Sequence, residues 1–220
     1  ETHTSRRVHP SGRLLRWLLE EEELPAGTGF KPLDTNAIPL IPQQTKDRIS
    51  SLENSLKSAV TIAIIGGTVG ARGGVAIHTA RQQGKPLARV DLERCKQFLE
   101  QPWDLIRELR LSDALPYVIN VVSSQEDPAM KLQVMNLGSA LATLPYPVLV
   151  GGNDRRALSG LLGQDRPSVT IKVARTSLDE RMTAWREQFS KREWSLEKAT
   201  ELAERFYSVG GTTIDRIIDR

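Results

Sequence analysis

The residues best suited to chemistry lie in the glycine-rich segment 64–74, IIGGTVGARGG. A short, almost uncharged run precedes the glycines at 59–65 and predicts a buried parallel strand, and a helical pattern follows over 74–83. A glycine turn between a strand and a helix exposes backbone N–H groups beside the positive end of the helix dipole, which attracts phosphate. The segment therefore predicts a phosphate-binding turn, with a tight turn that holds no ligand as the alternative.

Two phosphate-binding motifs compete for this segment. The P-loop, G-x-x-x-x-G-K-[ST], counted from Gly66 puts Ala71 at the second glycine, Arg72 at the lysine and Gly73 at the hydroxyl residue. The dinucleotide fingerprint needs an acidic residue about 20 positions on, and Asp91 fits it. The candidate ligand-binding residues are Gly66, Gly67, Gly70, Ala71, Arg72, Gly73 and Gly74.

The elements that must position this turn alternate along the chain. Strand patterns at 86–92, 116–122, 146–152 and 168–174 are separated by helical patterns at 92–110 and 128–143. This alternation predicts a three-layer α/β fold with a parallel sheet. Helical patterns alone follow, at 178–189, 195–206 and 213–220, which predicts a small helical lid after the core.

The region before the core has a different character. Leucines at helical spacing over 14–19 predict a helix, and the apolar spacing from Ile49 to Val60 predicts another. The four prolines within 24–43 predict an extended, loop-like connection. The predicted domains are an N-terminal region at 1–58, an α/β core at 59–175 and a lid at 176–220.

Composition excludes several classes of function. The formal charge is +3 over 220 residues, which without a basic patch argues against nucleic acid as a partner. The single cysteine, Cys95, cannot form an internal disulfide, and no apolar run reaches the length of a membrane span, so we expect a cytoplasmic protein. The histidines show no metal-ligand spacing with Cys95. The chain begins at Glu1 and ends at Arg220 inside a helical pattern, which indicates a piece of a longer protein.

The order of these motifs resembles the AAA+ ATPase module, a P-loop core followed by a helical lid. The resembling segments are 64–72 (IIGGTVGAR), 84–92 (GKPLARVDL), 116–122 (PYVINVV), 147–153 (PVLVGGN) and the helical stretch 179–206. They look like the family's P-loop, second strand, Walker B strand, sensor-1 strand and lid. The resemblance spans about residues 59–220 and is closest to the degenerate module of bacterial tandem AAA proteins.

The chain departs from the family where the family's chemistry is done. Arg72 is forked and bulkier than lysine, and Gly73 has no hydroxyl for Mg²⁺. The Walker B positions carry Asn120 and Val121 in place of an acidic pair, and the next carboxylates, Glu126 and Asp127, come later. The resemblance therefore implies weak or absent binding of ATP or ADP, poor binding of Mg²⁺ and no useful hydrolysis.

Three polar residues after the fourth strand resemble further family positions. Asn153 stands at sensor 1, and Arg155 or Arg156 at the arginine finger that reaches a neighbouring subunit's nucleotide. A plain turn after the strand is the alternative for all three, since Gly-Gly-Asn-Asp is a good turn sequence.

The resemblance implies a degenerate, hydrolysis-deficient module that serves as an oligomerisation and coupling platform. It would form a homo-oligomeric ring beside a second, active AAA+ module that remodels a protein substrate. Two alternatives stay open. One is an active ATPase in which Arg72 replaces the lysine and Glu126 or Asp127 acts as base. The other is a Rossmann-type dinucleotide-binding module with Asp91 on the ribose.

Overall fold

The computed structural model describes residues 30–33, 41–52, 58–121, 128–163, 166–191 and 197–205. The strands are β1 (Phe30–Leu33), β2 (Thr61–Ile65), β3 (Leu87–Asp91), β4 (Leu115–Ile119), β5 (Val148–Gly152) and β6 (Ser168–Lys172). The helices are α1 (Gln43–Ser51), α2 (Val69–Gln82), α3 (Gln97–Glu100), α4 (Pro102–Leu111), α5 (Pro128–Ala142), α6 (Leu178–Lys191) and α7 (Glu197–Arg205).

The strands form one sheet in the order β1-β3-β4-β5-β2-β6. Strands β2 to β6 are parallel, while β1 pairs antiparallel with β3 at one edge, with Phe30 opposite Val90. The predicted parallel sheet is confirmed for these five strands. The loop predicted over 24–43 is wrong at Phe30–Leu33, where Pro32 lies within a strand. An edge strand tolerates proline because one side of it needs no N–H donor.

The strand order decides between the two phosphate-binding folds. Strand β2, which leads into the glycine turn, lies between β5 and β6, and two strands, β4 and β5, separate it from β3. In a Rossmann sheet the corresponding first and second strands are neighbours. The observed order therefore excludes the Rossmann alternative.

Helices cover both faces of the sheet. Ile62 and Ile64 of β2 point to a core shared with Ile49 of α1 and with α2, and each of these three isoleucines is fully buried. Alternate strand residues such as Val90 and Val118 point to the opposite core, against α3, α4 and α5. Because side chains alternate along a strand, the sheet separates two apolar cores, which confirms the predicted three layers.

Several predicted element boundaries need correction. The helix predicted over 92–110 is split into α3 and α4, with Pro102 starting the second helix. Proline favours the first position of a helix because its missing N–H has no partner there. Helix α1 ends at Ser51, and Val60 lies buried immediately before β2 instead of continuing that helix.

Helices α6 and α7 follow the sheet, as predicted for the lid. The rings of Trp185 and Phe189 meet edge to face with centroids 6.0 Å apart. The Arg181 side chain of α6 donates to the carbonyl of Ala203 in α7 at 3.0 Å, which links the two helices, and to the Thr176 carbonyl at 2.7 Å. The helices predicted over 14–19 and 213–220 lie outside the described residues, and the domain limits at 58 and 175 stay predictions. None of the helices in the described ranges has the length and apolar content of a membrane span.

Candidate functional site

The glycine turn consists of Gly66, Gly67 and Thr68, between β2 and α2. Gly66 and Gly67 have φ angles of +77° and +58°, which side chains with a Cβ rarely adopt. Thr68 caps the helix, because its hydroxyl accepts a hydrogen bond from the Ala71 N–H at 3.1 Å. The turn is therefore short, and the helix begins at Val69 instead of at Gly74 as predicted.

This early helix start changes the place of most predicted ligand-binding residues. Gly70, Ala71, Arg72, Gly73 and Gly74 all lie inside α2. Only Gly66 and Gly67 belong to the turn itself. The long exposed loop that wraps a phosphate in a P-loop is thus replaced by a capped helix end.

The turn is also packed from the side of the edge strand. A Cβ on Gly67 would lie 2.9 Å from Cγ1 of Val173, the residue that follows β6. Positive φ angles account for both glycines without any ligand, and close packing against Val173 accounts for Gly67 as well. The tight-turn alternative is therefore compatible with the local geometry.

Arg72 occupies the lysine position of the motif, yet its guanidinium points back into the protein. Its Nη1 donates to the carbonyl oxygens of Gly66 at 3.0 Å and Gly67 at 3.1 Å. Only 7% of the residue is exposed. Arg72 therefore bonds to the backbone of the turn. In a P-loop, the lysine at this position extends past the turn to reach a phosphate.

Tyr117 of β4 lies beside this arginine, and sequence reasoning gave it no role at the site. Burial raises the pKa of Tyr117 to about 12, while the nearby Arg72 charge opposes the rise. The Tyr117 hydroxyl has no hydrogen-bond partner among the described residues. A Cβ on Gly151 would lie 2.8 Å from this hydroxyl, so the tyrosine fills the space next to β5. The only sequence signal was a polar aromatic residue within an otherwise apolar strand.

The Walker B candidates lie just after β4, because the strand ends at Ile119 and not at 122 as predicted. Asn120 has a φ of +52° and donates from Nδ2 to Oδ1 of Asp91 at 3.0 Å. Val121 is partly buried against the apolar core and offers no base. The amide at the acidic position is therefore bonded to the end of the neighbouring strand.

Asp91 is a buried carboxylate at this edge, with 6% exposed. Besides Asn120, its Oδ1 accepts from the Glu93 N–H at 3.2 Å. Its Oδ2 lies 3.7 Å from Arg89 and 3.9 Å from Arg94. These partners give Asp91 a structural role in joining β3 to β4, in place of the ribose contact that the dinucleotide alternative assigned to it.

Asn153 lies at the same edge of the sheet as the glycine turn. Ile65 and Gly152 are opposite each other in the pairing of β2 with β5, so Gly66 and Asn153 follow at neighbouring strand ends. Asn153 is exposed. The structure thus brings the sensor-1 candidate close to the turn, while Asn120 lies one strand further away.

The two arginine-finger candidates differ. Arg155 donates to the hydroxyls of Thr170 at 2.8 Å and Ser168 at 3.2 Å, so its side chain is held against the edge strand β6 of the same chain. Arg156 is exposed. Glu126 and Asp127, the alternative bases, lie outside the described residues. Within the described ranges no three His, Cys, Asp or Glu side chains are grouped to hold a metal ion.

No family model and no curated protein sequence matches the chain. Among solved structures, the replication initiator DnaA bound to AMPPCP and single-stranded DNA is similar with a TM-score of 0.50 and 14% identity, covering 80% of this chain and 60% of that chain. The C. elegans protein PCH-2 is similar with a TM-score of 0.51 and 12% identity, covering 86% of this chain and 69% of that one. This chain therefore spans about 60% of the length of the DnaA chain.

Both similar structures are AAA+ ATPases, and at this identity they show the fold alone. Their likeness agrees with the strand order, in which the strand before the glycine turn lies between the sensor-1 candidate strand and the edge strand. The chain therefore has the three-layer α/β fold of the AAA+ P-loop ATPases, as the sequence resemblance predicts.

Proposed function

We propose that this chain is a degenerate AAA+ module that does not hydrolyse ATP and that serves as an oligomerisation and coupling platform in a larger, ATP-driven protein-remodelling protein. The observation that carries this proposal is the direction of Arg72, which bonds to the carbonyls of Gly66 and Gly67. In this proposal residues 59–175 form the core and 176–220 the lid.

The lysine of a working P-loop stabilises the charge on the β- and γ-phosphates. Arg72 would have to break two hydrogen bonds and leave two carbonyl oxygens unpaired before it reached a phosphate. Gly73 supplies no hydroxyl to Mg²⁺. The residues of the turn therefore do not fit a bound nucleotide with its metal ion.

The second half of the site is equally unsuited to hydrolysis. Asn120 is neutral and already bonded to Asp91, so it adds no negative charge for a metal ion. Val121 cannot accept a proton from water. A general base accelerates such reactions by about 10²–10⁴-fold, and neither Asn120 nor Val121 can serve as one.

A module that does not hydrolyse ATP can still bind it, so nucleotide binding is a property separate from hydrolysis. The DnaA structure is described with AMPPCP bound, and that nucleotide is a property of DnaA. For this chain we expect weak or absent binding of ATP and ADP. The Thr68 hydroxyl already accepts a hydrogen bond from the Ala71 N–H, and the Arg72 guanidinium already donates to the Gly66 carbonyl.

The platform role is supported by what the chain keeps. The sheet, both apolar cores and the helix pair α6–α7 are all formed. A complete fold around an altered site is typical of a module retained for its contacts. We therefore expect a homo-oligomeric ring, with a second AAA+ module of the same protein carrying the ATPase activity.

The experiment restores the motif and asks whether activity follows. Ala71→Gly, Arg72→Lys and Gly73→Thr together recreate the P-loop, and a Cβ on Gly73 would meet nothing within 4 Å. Isothermal titration with ATP, with and without Mg²⁺, measures binding, and phosphate release measures hydrolysis. We expect the natural chain to show no Mg²⁺-dependent turnover and weaker binding than the restored variant.

Robust Mg²⁺-dependent phosphate release by the natural chain, lost in Arg72→Ala, would overturn the proposal. It would favour the alternative in which Arg72 replaces the lysine. Light scattering after gel filtration tests the platform role, and a strictly monomeric chain at high concentration would contradict it.

A further inference from the structure

Strand β6 is an edge strand of the sheet. It pairs with β2 on one side, and no described strand pairs with it on the other. Val173 donates to Ile65 and Pro167 accepts from Thr61, both at 2.9 Å, so their backbone groups face β2. Because backbone groups alternate along a strand, the N–H and C=O groups of Ser168, Thr170 and Lys172 face away from the sheet.

This alternation is supported just beyond the strand. The Ala174 N–H points to the open side, and the Thr45 hydroxyl of α1 accepts its hydrogen bond at 3.2 Å. Helix α1 thus closes one end of the edge. The rest of β6 keeps its outward backbone groups without a hydrogen-bond partner among the described residues, which is the condition for the addition of another strand.

A groove runs along this open edge, with a volume of about 580 Å³. It is lined by Gln44 and Arg48 of α1 and by Thr170, Lys172 and Ala174. None of its described lining residues is acidic, and neither Arg48 nor Lys172 forms an ion pair with a described residue. The groove therefore combines free backbone groups with uncompensated positive charge.

A third cation lies on the edge itself. Arg155 bonds to the hydroxyls of Ser168 and Thr170, which places its guanidinium beside the same row of outward-facing residues. Guanidinium groups bind carboxylates with charge-assisted hydrogen bonds. Side chains two residues apart on an added strand lie on one face, so alternate carboxylates would follow this row.

We propose that the open edge of β6 binds an extended acidic polypeptide segment, which adds to the sheet as a further strand. Main-chain hydrogen bonds to Ser168, Thr170 and Lys172 hold the segment, and its alternate carboxylates meet Arg155 and Lys172 on one face of the sheet, while Arg48 of α1 adds positive charge on the opposite face. The partner is a protein segment with acidic residues at alternate positions. The β6 edge is the edge of the sheet farthest from β3, and strand addition there does not depend on whether the glycine turn binds nucleotide.

Fluorescence anisotropy with a short, labelled peptide that alternates Glu with Val tests whether the cations of this edge contribute to peptide binding. We expect salt-sensitive binding that weakens by about tenfold in the double variant Arg48→Glu with Lys172→Glu. Lys131→Glu is the matched control, since Lys131 is an exposed cation on α5. A peptide that fails to bind, or equal weakening by the control, overturns the proposal.

Two further comparisons test the strand-addition part. Thr170→Pro removes an outward N–H but none that faces β2, and edge strands tolerate such a proline. Thr170→Val removes the hydroxyl and keeps the N–H. We expect lost binding in the first and retained binding in the second, with thermal melting by circular dichroism as the check on folding.

A change in the peptide tests strand addition without altering the protein. The same peptide with N-methyl groups on alternate amides keeps its charges but cannot pair as a strand, so we expect it not to bind. Equal binding of the methylated peptide overturns strand addition. Tighter binding of a single-stranded oligonucleotide than of the peptide overturns the choice of partner.

Discussion

Two regions of the molecule each bury an arginine, and each leaves 7% of that residue exposed. At the glycine turn, Arg72 donates to the carbonyls of Gly66 and Gly67. At the end of α5, Arg166 donates to the carbonyls of Leu141 at 2.9 Å and Leu144 at 3.1 Å. A further bond joins Arg166 to the Tyr146 carbonyl.

The surroundings of the two arginines are alike in a second way. Each lies near a tyrosine whose pKa burial raises to about 12, Tyr117 beside Arg72 and Tyr146 beside Arg166. Neither tyrosine hydroxyl has a hydrogen-bond partner among the described residues. One arginine stands in a motif and the other does not, yet each donates hydrogen bonds to at least two main-chain carbonyls.

The difference between them is the helix end at which each lies. The Arg166 charge is at the carbonyl end of α5, where a cation is favoured, although burial lowers the pKa of Arg166 to about 10. The Arg72 charge is near the N–H end of α2, where a cation is disfavoured and an anion favoured. The direction of the Arg72 side chain is therefore set by the carbonyl oxygens within its reach and not by its position in a motif.

Arg166→Met is the change with the largest expected effect. It leaves up to three carbonyl oxygens without their donor, which lowers the free energy of unfolding by about 3 kcal/mol. Urea denaturation followed by circular dichroism measures this. Arg110→Ala is the control, since exposed Arg110 makes one bond of 3.3 Å to the Thr143 carbonyl, and we expect a small change there. Equal losses in the two variants would contradict the role assigned to Arg166.

Arg72→Met should lower the free energy of unfolding by about 2 kcal/mol, less than Arg166→Met because the helix dipole opposes its charge. Affinity for ATP should not fall, since Arg72 faces the turn and not a ligand. Denaturation and titration calorimetry on the same preparations separate the two properties. Unchanged stability with weakened ATP binding would show that Arg72 contacts the nucleotide and not the turn.

Gly67→Ala should lower the free energy of unfolding by about 1–2 kcal/mol, because the residue has a φ of +58° and its new Cβ would approach Val173. The matched control is Gly73→Ala within α2, where a Cβ meets nothing within 4 Å. There we expect a gain of about 0.5–1 kcal/mol from helix propensity. A stabilising Gly67→Ala would show that the turn is not held in the described conformation.

Tyr117→Phe should have the smallest effect, and it should depend on pH. The pKa of Tyr117 is raised to about 12 in the folded protein, so the unfolded tyrosine, with a pKa of about 10, ionises first. Stability from this group is complete below pH 10 and is lost as the pH rises towards 12.

The natural chain should therefore lose about 1 kcal/mol relative to Tyr117→Phe between pH 8 and pH 10.5. Thermal melts over this range measure the difference, and Tyr146→Phe provides the parallel at the other arginine. A pH-independent difference would mean that the Tyr117 hydroxyl ionises as it does in water.

Sequence reasoning was most accurate where the pattern is local. The helix predicted over 128–143 and the strand predicted over 86–92 match α5 and β3 closely. Such elements follow from the period of their own apolar residues. The same reasoning failed at β1, since Pro32 predicts a loop unless the strand is known to lie at an edge.

The candidate site was the harder part. The structure brings Gly66, Gly67 and Asn153 to one edge of the sheet, because the carboxyl ends of parallel strands share that edge, and their roles there stay predictions. The bond between Asp91 and Asn120 was not foreseen, since nothing local shows that β3 and β4 are neighbours. The packing of Val173 on Gly67 joins residues that are distant in the chain and leaves no local signal.

The sequence by itself determined the α/β class, the alternation of the elements and the residue types of the glycine-rich segment around Arg72, because these are properties of residue type and local period. The tertiary structure alone decided the strand order, the early start of α2 and the direction of the Arg72 side chain. These depend on which strands become neighbours and which carbonyl oxygens they leave within reach of a buried charge. A buried guanidinium must find hydrogen-bond acceptors, and only the folded chain shows where they are.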